Sequence, residues 1–416
     1  MRVTAVVSVV FLAAMLAMSM IGCATSRAEQ EVVRVPQDAS TITEAIDAVA
    51  PNGLILVGDG VYEEEVLIDK EGVTIRGENR NETVIDAGGI RPYGIVGVAD
   101  GVTVENLTVT GATFYGVLIT GMFTDDGPEA RGSSGYTSLD PEEFPPLQRF
   151  LVDHVTAYNN GLYGIYAFDA QHGVIRDSFA SGSADSGLYV GQCRQCNILV
   201  TGNRATDNAV GFENANASDS VWIVDNDFSG NRIGMTFLSN YQEAFAPQRG
   251  NWIARNTIVG NISSDSPSHA QGGWGTGIGL SGATANLFEH NVIADNPRAG
   301  VLVSNAEDLA SVENSFSGNL FSENGVDAAN ISSDRGAAES NCFDVGVTLL
   351  PSSLRDSCEG VQPAVTVDDL PKVTVPSGVS FLQVATPRNQ PNLEATGRVP
   401  EPLPEEIGRP VGAPSD

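Results

Sequence analysis

A glycine followed by an apolar triplet recurs along the middle of this chain at an almost constant interval. The glycines are Gly94, Gly116, Gly164, Gly187, Gly211, Gly234, Gly279 and Gly300, opening runs such as Gly187-Leu188-Tyr189. The steps between them are 22, 48, 23, 24, 23, 45 and 21 residues, so the unit is near 23 and two steps are about double. A period in this range marks a solenoid, whose repeats bury their apolar faces by stacking on their neighbours. Each unit holds a second short apolar run before a polar turn, as in Ile198-Leu199-Val200 before Asn203 and Trp222-Ile223-Val224 before Asn226. Short strands joined by brief turns leave no room for a helix, and the unit reads as one coil of a parallel β-helix.

Asparagines at equivalent turns fit such coils, because Asn tolerates left-handed backbone and can hydrogen-bond to its copy one coil away. Asn203, Asn226, Asn256, Asn291 and Asn314 are therefore read as one structural ladder. The 416 residues carry 52 acidic against 22 basic side chains, a formal charge of −30. That balance argues against nucleic acid and against anionic membrane surfaces, both of which require basic patches.

The ends of the chain differ from its middle. Arg2, the apolar stretch from Val3 to Met18 and a following small-residue site read as a targeting segment, residues 1–22. Met20-Ile21-Gly22-Cys23 resembles the lipobox of bacterial lipoproteins, which implies a lipid on Cys23 and an extracytoplasmic, membrane-anchored protein; plain secretion is the alternative. The remaining cysteines fall into two local pairs, Cys193 with Cys196 and Cys342 with Cys358, the simplest of three connectivities. Residues 23–31 read as a tether, 32–358 as the solenoid, and the proline-rich 359–416 as an extended or disordered tail. Thr41-Ile42-Thr43-Glu44 is a capping box opening a helix that would cover the first coil's exposed core. The stretch from Ser40 to Asn79 resembles the N-terminal region of pectin methylesterases and other proteins of the pectin-lyase-like superfamily, which implies an all-β, right-handed parallel β-helix.

Function is sought at the two long steps. Insertions after Ile119 and after Phe237 leave the coil at the same turn and lie four coils apart, about 19 Å at 4.8 Å per coil, as two walls of a groove would. Strand alternation puts Leu118, Tyr166, Tyr189, Glu213 and Thr236 in one outward column, a floor on which sugar rings could stack. Tyr189, Glu213, Arg194 and Tyr241 are accordingly the candidate ligand-binding residues. In the first insertion, Asp125, Asp126 and Asp140 are candidate calcium ligands. The second holds Glu243, and His269 lies in a glycine-rich lobe with Trp274.

Tyr163-Gly-Ile-Tyr-Ala-Phe-Asp-Ala-Gln-His172 is similar to the Tyr-Gly-Phe-Asp-Pro-His-Glu run of mannuronan C5-epimerases and related lyases. That resemblance nominates Tyr166, Asp169 and His172 as catalytic, although neither register of alignment preserves the whole triad. Trp222-Ile-Val-Asp-Asn226 resembles the Trp-Ile-Asp-His run of pectate lyases, without its histidine. The Asn-Thr-Asp, Gly-His-Gly and Arg-Ile-Lys motifs of polygalacturonases do not occur. The reading is a protein that binds a polysaccharide, with its modification by lyase, epimerase or hydrolase chemistry left open. Its alternatives are a non-catalytic surface scaffold and a metal-site accessory protein of the periplasmic copper-maturation type, for which four histidines are a poor ligand set.

Overall fold

The computed structural model describes residues 29–129, 139–269, 272–356, 358–394 and 397–414. The expected targeting segment and Cys23 lie outside these. Successive coils stack their strands into long parallel sheets. The first is 11-stranded and runs from Gln30–Val35 and Val49–Val57 through Val221–Val224 and Trp252–Ala254 to Ser315–Ser317. The second, also 11-stranded, runs from Val66–Ile68 through Ser186–Arg194, Val210–Ser218 and Ile233–Leu238 to Leu349–Leu350. The third is split into six strands, from Gly60–Tyr62 to Arg204–Thr206, and three, from Thr257–Val259 to Leu320–Ser322. One apolar core fills the interior, with Ile165, Leu188, Phe212, Met235 and Ile278 stacked coil upon coil.

The helix Ile42–Ala48 stands at the N-terminal end and buries Ile42, Ala45 and Ile46 against the core. Thr41 caps it by accepting from the Glu44 backbone N–H at 3.0 Å. The Glu44 carboxylate reaches one residue beyond the expected box and accepts from the Ser40 N–H at 2.9 Å.

Two details of the repeat differ from the sequence reading. Gly277, not Gly279, continues the glycine column: a Cβ there would sit 2.6 Å from Gly300 O, as one on Gly234 would from Gly277 O. Glycine recurs because successive backbones approach too closely for a side chain. The asparagines form several ladders. Asn203, Asn226, Asn256 and Asn291 continue to Asn319, while Asn314 belongs with Asn251, Asn286 and Asn341. Residues 305–311 lengthen that coil through a turn closed by Ala306 and Leu309, so a fixed 23-residue step lands on the wrong ladder.

The tail lies along the solenoid as an extended strap. Its half-covered or buried positions at Phe381, Val384, Pro387, Gln390 and Leu393 recur every third residue, as in polyproline II. Pro376 O accepts from Arg232, Val384 O from Asn159 at 3.1 Å, and Asn392 Oδ1 from the Arg80 N–H at 2.6 Å. The Arg80 guanidinium, 1% exposed, donates to Thr156 Oγ1, Val155 O, Asp177 O and Pro391 O, joining strap to coils. Beyond Arg398 the chain turns back along the first sheet, where Leu403 lies near Thr103 and Leu151 and Ile407 packs with Trp222 and Trp252.

Candidate functional site

The column expected on the second sheet is present in register: Leu118, Tyr166, Tyr189, Glu213 and Thr236 are successive Cα partners, followed by Gly279 and Leu302. Its two ends have different environments. The described ends of the first insertion fold down on the early coils, where Met122 and Phe144 pack with Tyr115, Tyr163, Tyr166 and Tyr189 in an apolar cluster outside the core. Tyr166 is 1% exposed, 4.4 Å between ring centroids from Tyr163 and 4.6 Å from Tyr189. Tyr163 stacks on Tyr166 and Tyr189 meets Tyr166 edge-on, and in this conformation no sugar reaches the faces of Tyr166 or Tyr189.

An open cleft of about 380 Å³ begins where that cover stops. The extra residues of the second long step, placed by sequence in one insertion, are divided between two excursions. Residues 239–251 leave after the strand Ile233–Leu238, and the described glycine-rich residues 260–269 and 272–275 leave after Thr257–Val259. Between them Glu213, Glu243, Asp185 and His269 line the cleft, with Tyr163, Thr236 and Asn240.

Hydrogen bonds position each of these groups. Ser186 Oγ donates to Glu213 Oε2 at 3.0 Å. The Tyr189 hydroxyl donates to the Glu243 carboxylate at 3.2 Å, which ties the second insertion to the tyrosine cluster. His269 Nδ1 donates to Gly272 O at 3.2 Å, turning Nε2 toward Asp185 Oδ1, 3.6 Å away. Burial pushes the Glu213 carboxyl up to about 8, and the neighbouring Asp185 charge adds to this against the opposing pull of His269 and Ser186. Burial alone would lower the His269 imidazole, but Asp185 and Glu213 more than offset it and hold it above its ordinary value. The cleft thus contains a buried acid that keeps its proton near neutrality, a second carboxylate, and an imidazole–carboxylate pair.

Other sequence-nominated residues lie elsewhere. Asp169 is buried at the turn after the strand Ile165–Phe168, its Oδ2 lacks a hydrogen-bond partner, and burial pushes its carboxyl up to about 7. His172 follows with left-handed backbone, its N–H donating to Cys196 O at 2.8 Å. Neither lines the cleft. Arg194 ends its strand beside the bonded Cys193–Cys196 pair, exposed. Tyr241 is 54% exposed and donates to Asp308 Oδ1 at 2.8 Å.

The structure does not gather Asp125, Asp126 and Asp140 into one cluster. Asp125 and Asp126 occupy the tip between the paired strands Phe123–Thr124 and Gly127–Pro128, and Asp140 Oδ1 accepts from the Glu142 N–H in a turn. Among the described residues, the three ligand-type side chains close enough to share an ion are Asp153, His154 and Asp177. There Asp153 is already engaged by His154 Nδ1 at 2.6 Å and by Arg176 at 2.6 Å.

Asp185 escaped the sequence reading. It stands two residues before a repeat glycine, where the other repeats have Pro92, Phe114, Leu162, Ala209, Arg232, Gly275 and Arg298. A lone carboxylate in that column was the available signal.

A family model described as "right handed beta helix region" matches residues 72–258 and 146–321. No curated protein matches the chain in sequence. Among solved structures, a periplasmic alginate epimerase double mutant aligns at 15% identity over 73% of this chain and 72% of its own, with a TM-score of 0.41. The A-module of a mannuronan C-5 epimerase from Azotobacter vinelandii aligns at 13% over 70% and 91%, TM-score 0.37. A pectin methylesterase from Aspergillus niger aligns at 15% over 78% and 92%, TM-score 0.35. These likenesses concern the coil architecture alone.

Proposed function

Because the chain belongs to the right-handed β-helix family, its coils leave the chemistry to outward-facing side chains, and we propose that its cleft binds a neutral polysaccharide and hydrolyses a glycosidic bond. The observation that supports this is the convergence of Glu213, Glu243 and the Asp185–His269 pair on one cleft of sugar-binding size. Hydrolysis by paired carboxylates needs one acid that retains its proton and one base. Glu213 suits the acid. It would protonate the leaving glycosidic oxygen as the bond to the anomeric carbon breaks. Glu243, held by Tyr189, would take a proton from the water whose oxygen forms the new bond to that carbon.

Electrostatics favours an uncharged substrate. His269 is the one cationic side chain in the cleft's described lining, against the carboxylates of Asp185 and Glu243, and the chain as a whole carries −30. A polyuronate would bring further negative charge into that field. Reducing-end release from neutral polysaccharides, compared between the wild type and Glu213→Gln, tests the reading. Loss of release in the variant with retained glycan binding supports it. Equal activity in both, or ultraviolet-absorbing unsaturated products from a polyuronate, would sink it.

Export with lipid attachment at Cys23 belongs to the same proposal. The paired Cys193–Cys196 and Cys342–Cys358 support an oxidising compartment. Metabolic labelling with a radioactive fatty acid, present in the wild type and absent in Cys23→Ala, is the outcome expected. Equal labelling of both would remove the anchor from the proposal.

A further inference from the structure

The first sheet carries an aromatic surface that the cleft does not use. Its outward column runs Leu151, Val174, Leu199, Trp222, Trp252 and Leu287 in unbroken register. Trp222 and Trp252 are Cα partners on successive coils, whose strands lie about 4.8 Å apart in a parallel ladder, and Leu199 and Leu287 extend the strip on either side. Polar groups border it. Trp252 Nε1 donates to Glu289 Oε2 at 2.9 Å, and the Arg255 guanidinium, paired with Asp225, sits 5.5 Å from the Trp252 ring centroid.

Both indoles are nearly hidden, 6% and 5% exposed, and the end of the strap adds to the cover that Leu199, Leu287 and Arg255 provide. Ile407 and Ala413 pack on the pair, and Gly412 lies against the outer edge of Trp252. The cover fits loosely. A cavity of about 260 Å³ remains between Trp222, Trp252, Leu287 and Arg409, and one of about 730 Å³ between Asn197, Asp219, Trp222 and Ile407. Upstream, the strap is fixed by hydrogen bonds to Arg80, Asn81, Asn106 and Arg76. In the last stretch the Ala413 N–H instead turns inward to Pro410 O, and Val411 is 95% exposed. Few apolar side chains there offset the backbone entropy lost on ordering the segment.

We propose that Trp222 and Trp252 form a second ligand site, a stacking platform for the pyranose faces of a neutral glycan, with residues 404–414 as its displaceable cover. Indole faces bury the C–H faces of a sugar ring as they bury other apolar surface, and their edges stay available for polar contacts. Glu289, Asn197 and Gln195 border the strip or its cavity and would receive the hydroxyls. A polar border beside flat indoles suits a hydroxyl-rich chain better than a second protein copy, whose interface core would be depleted of charge. The site does not depend on the chemistry assigned to the cleft.

The test loosens the cover in the full chain. Ile407→Asp with Ala413→Asp removes the apolar grip, and a chain ending at Leu403 removes the cover outright. Tryptophan emission and calorimetric titration with cellohexaose, xylohexaose and mannohexaose are measured on both and on the wild type. Both variants are expected to show red-shifted emission and at least tenfold tighter binding of one hexaose, with quenching. Adding Trp222→Ala and Trp252→Ala to either variant should abolish the gain, whereas adding Glu213→Gln should leave it intact. Red-shifted emission with no tighter binding of any hexaose overturns the platform, as does self-association through the uncovered face that the hexaoses do not compete away. Unshifted emission in both variants overturns the cover. A gain lost with Glu213→Gln would assign the binding to the cleft instead.

Discussion

His269 Nε2 stands 3.6 Å from Asp185 Oδ1, and this contact holds the glycine-rich excursion over the outward face of the second sheet. The other ring nitrogen is anchored inside the excursion, on Gly272 O. One imidazole therefore connects the shape of the cleft's upper wall to the charge of its floor.

That connection has a pH signature. The His269 pKa is raised above its ordinary value of 6.5 in the folded state, so the pairing stabilises fully below about 6.5 and is lost as pH rises through the higher folded value. Asp185→Asn removes the hydrogen-bonded countercharge that does most to raise it, and the His269 midpoint should fall. Histidine-resolved NMR titration reads this directly. A midpoint unmoved by the substitution would mean that the contact is not the source of the shift.

Glu213 titrates with the same sign. Its folded carboxyl, pushed up to about 8 from an ordinary value of 4.5, favours the protonated form, so its contribution to stability is complete below about 4.5 and drains away as pH rises to about 8. Glu213→Gln should flatten this part of the Tm–pH curve and leave the variant more stable than the wild type at pH 9. The same change should cut hydrolysis by about 10² to 10⁴-fold through loss of the proton donor. A variant less stable at pH 9, measured by thermal melts, would show that the carboxyl is not held protonated by its site.

Arg80 is the polar rivet of the strap. Replacing it with Met keeps much of the side-chain volume but strands the buried acceptors of Thr156, Val155, Asp177 and Pro391. A loss of about 3 kcal/mol is expected for several bonds from a buried cation, with proteolysis beginning near Pro391. Urea unfolding together with limited proteolysis checks it. A strap as resistant as in the wild type would show that its anchoring lies elsewhere.

Much of the coil was legible because close packing writes itself into sequence at a fixed interval. Gly187, Gly211 and Gly234 each face the backbone of the next coil with no space for a Cβ, and Asn226 and Asn256 each satisfy the next rung. The outward column through Tyr189 and Glu213 followed from alternation alone. What alternation cannot say is which outward residues a loop will cover. Tyr166 and Tyr189 became cluster residues because Met122 and Phe144 settle on them, a contact with no periodicity. The strap was opaque for a related reason: its three-residue period matches partners spread over the whole solenoid, and prolines alone do not reveal a binding surface.

The central asparagine ladder offers a test of the fold that leaves the cleft untouched. Asn256 Nδ2 donates to Ile223 O at 2.8 Å and to Asn291 Oδ1 at 3.0 Å, while Asn256 Oδ1 accepts from both the backbone N–H and the amide of Asn226. Asn256→Ala leaves buried donors and acceptors in two adjoining coils without partners, and should cost about 2 to 4 kcal/mol. Asn256→Asp keeps the acceptor that Asn226 needs but turns a carboxylate toward Ile223 O and Asn291 Oδ1 in a buried, unneutralised position. It should be at least as destabilising as Ala at pH 8 and recover in part at pH 4, where the added carboxyl regains a proton and can donate again. Urea unfolding at the two pH values separates the cases. An Asp variant equally stable at both would mean that the rung tolerates charge, and hence that water or a shifted backbone, not the amide relay, satisfies the turn.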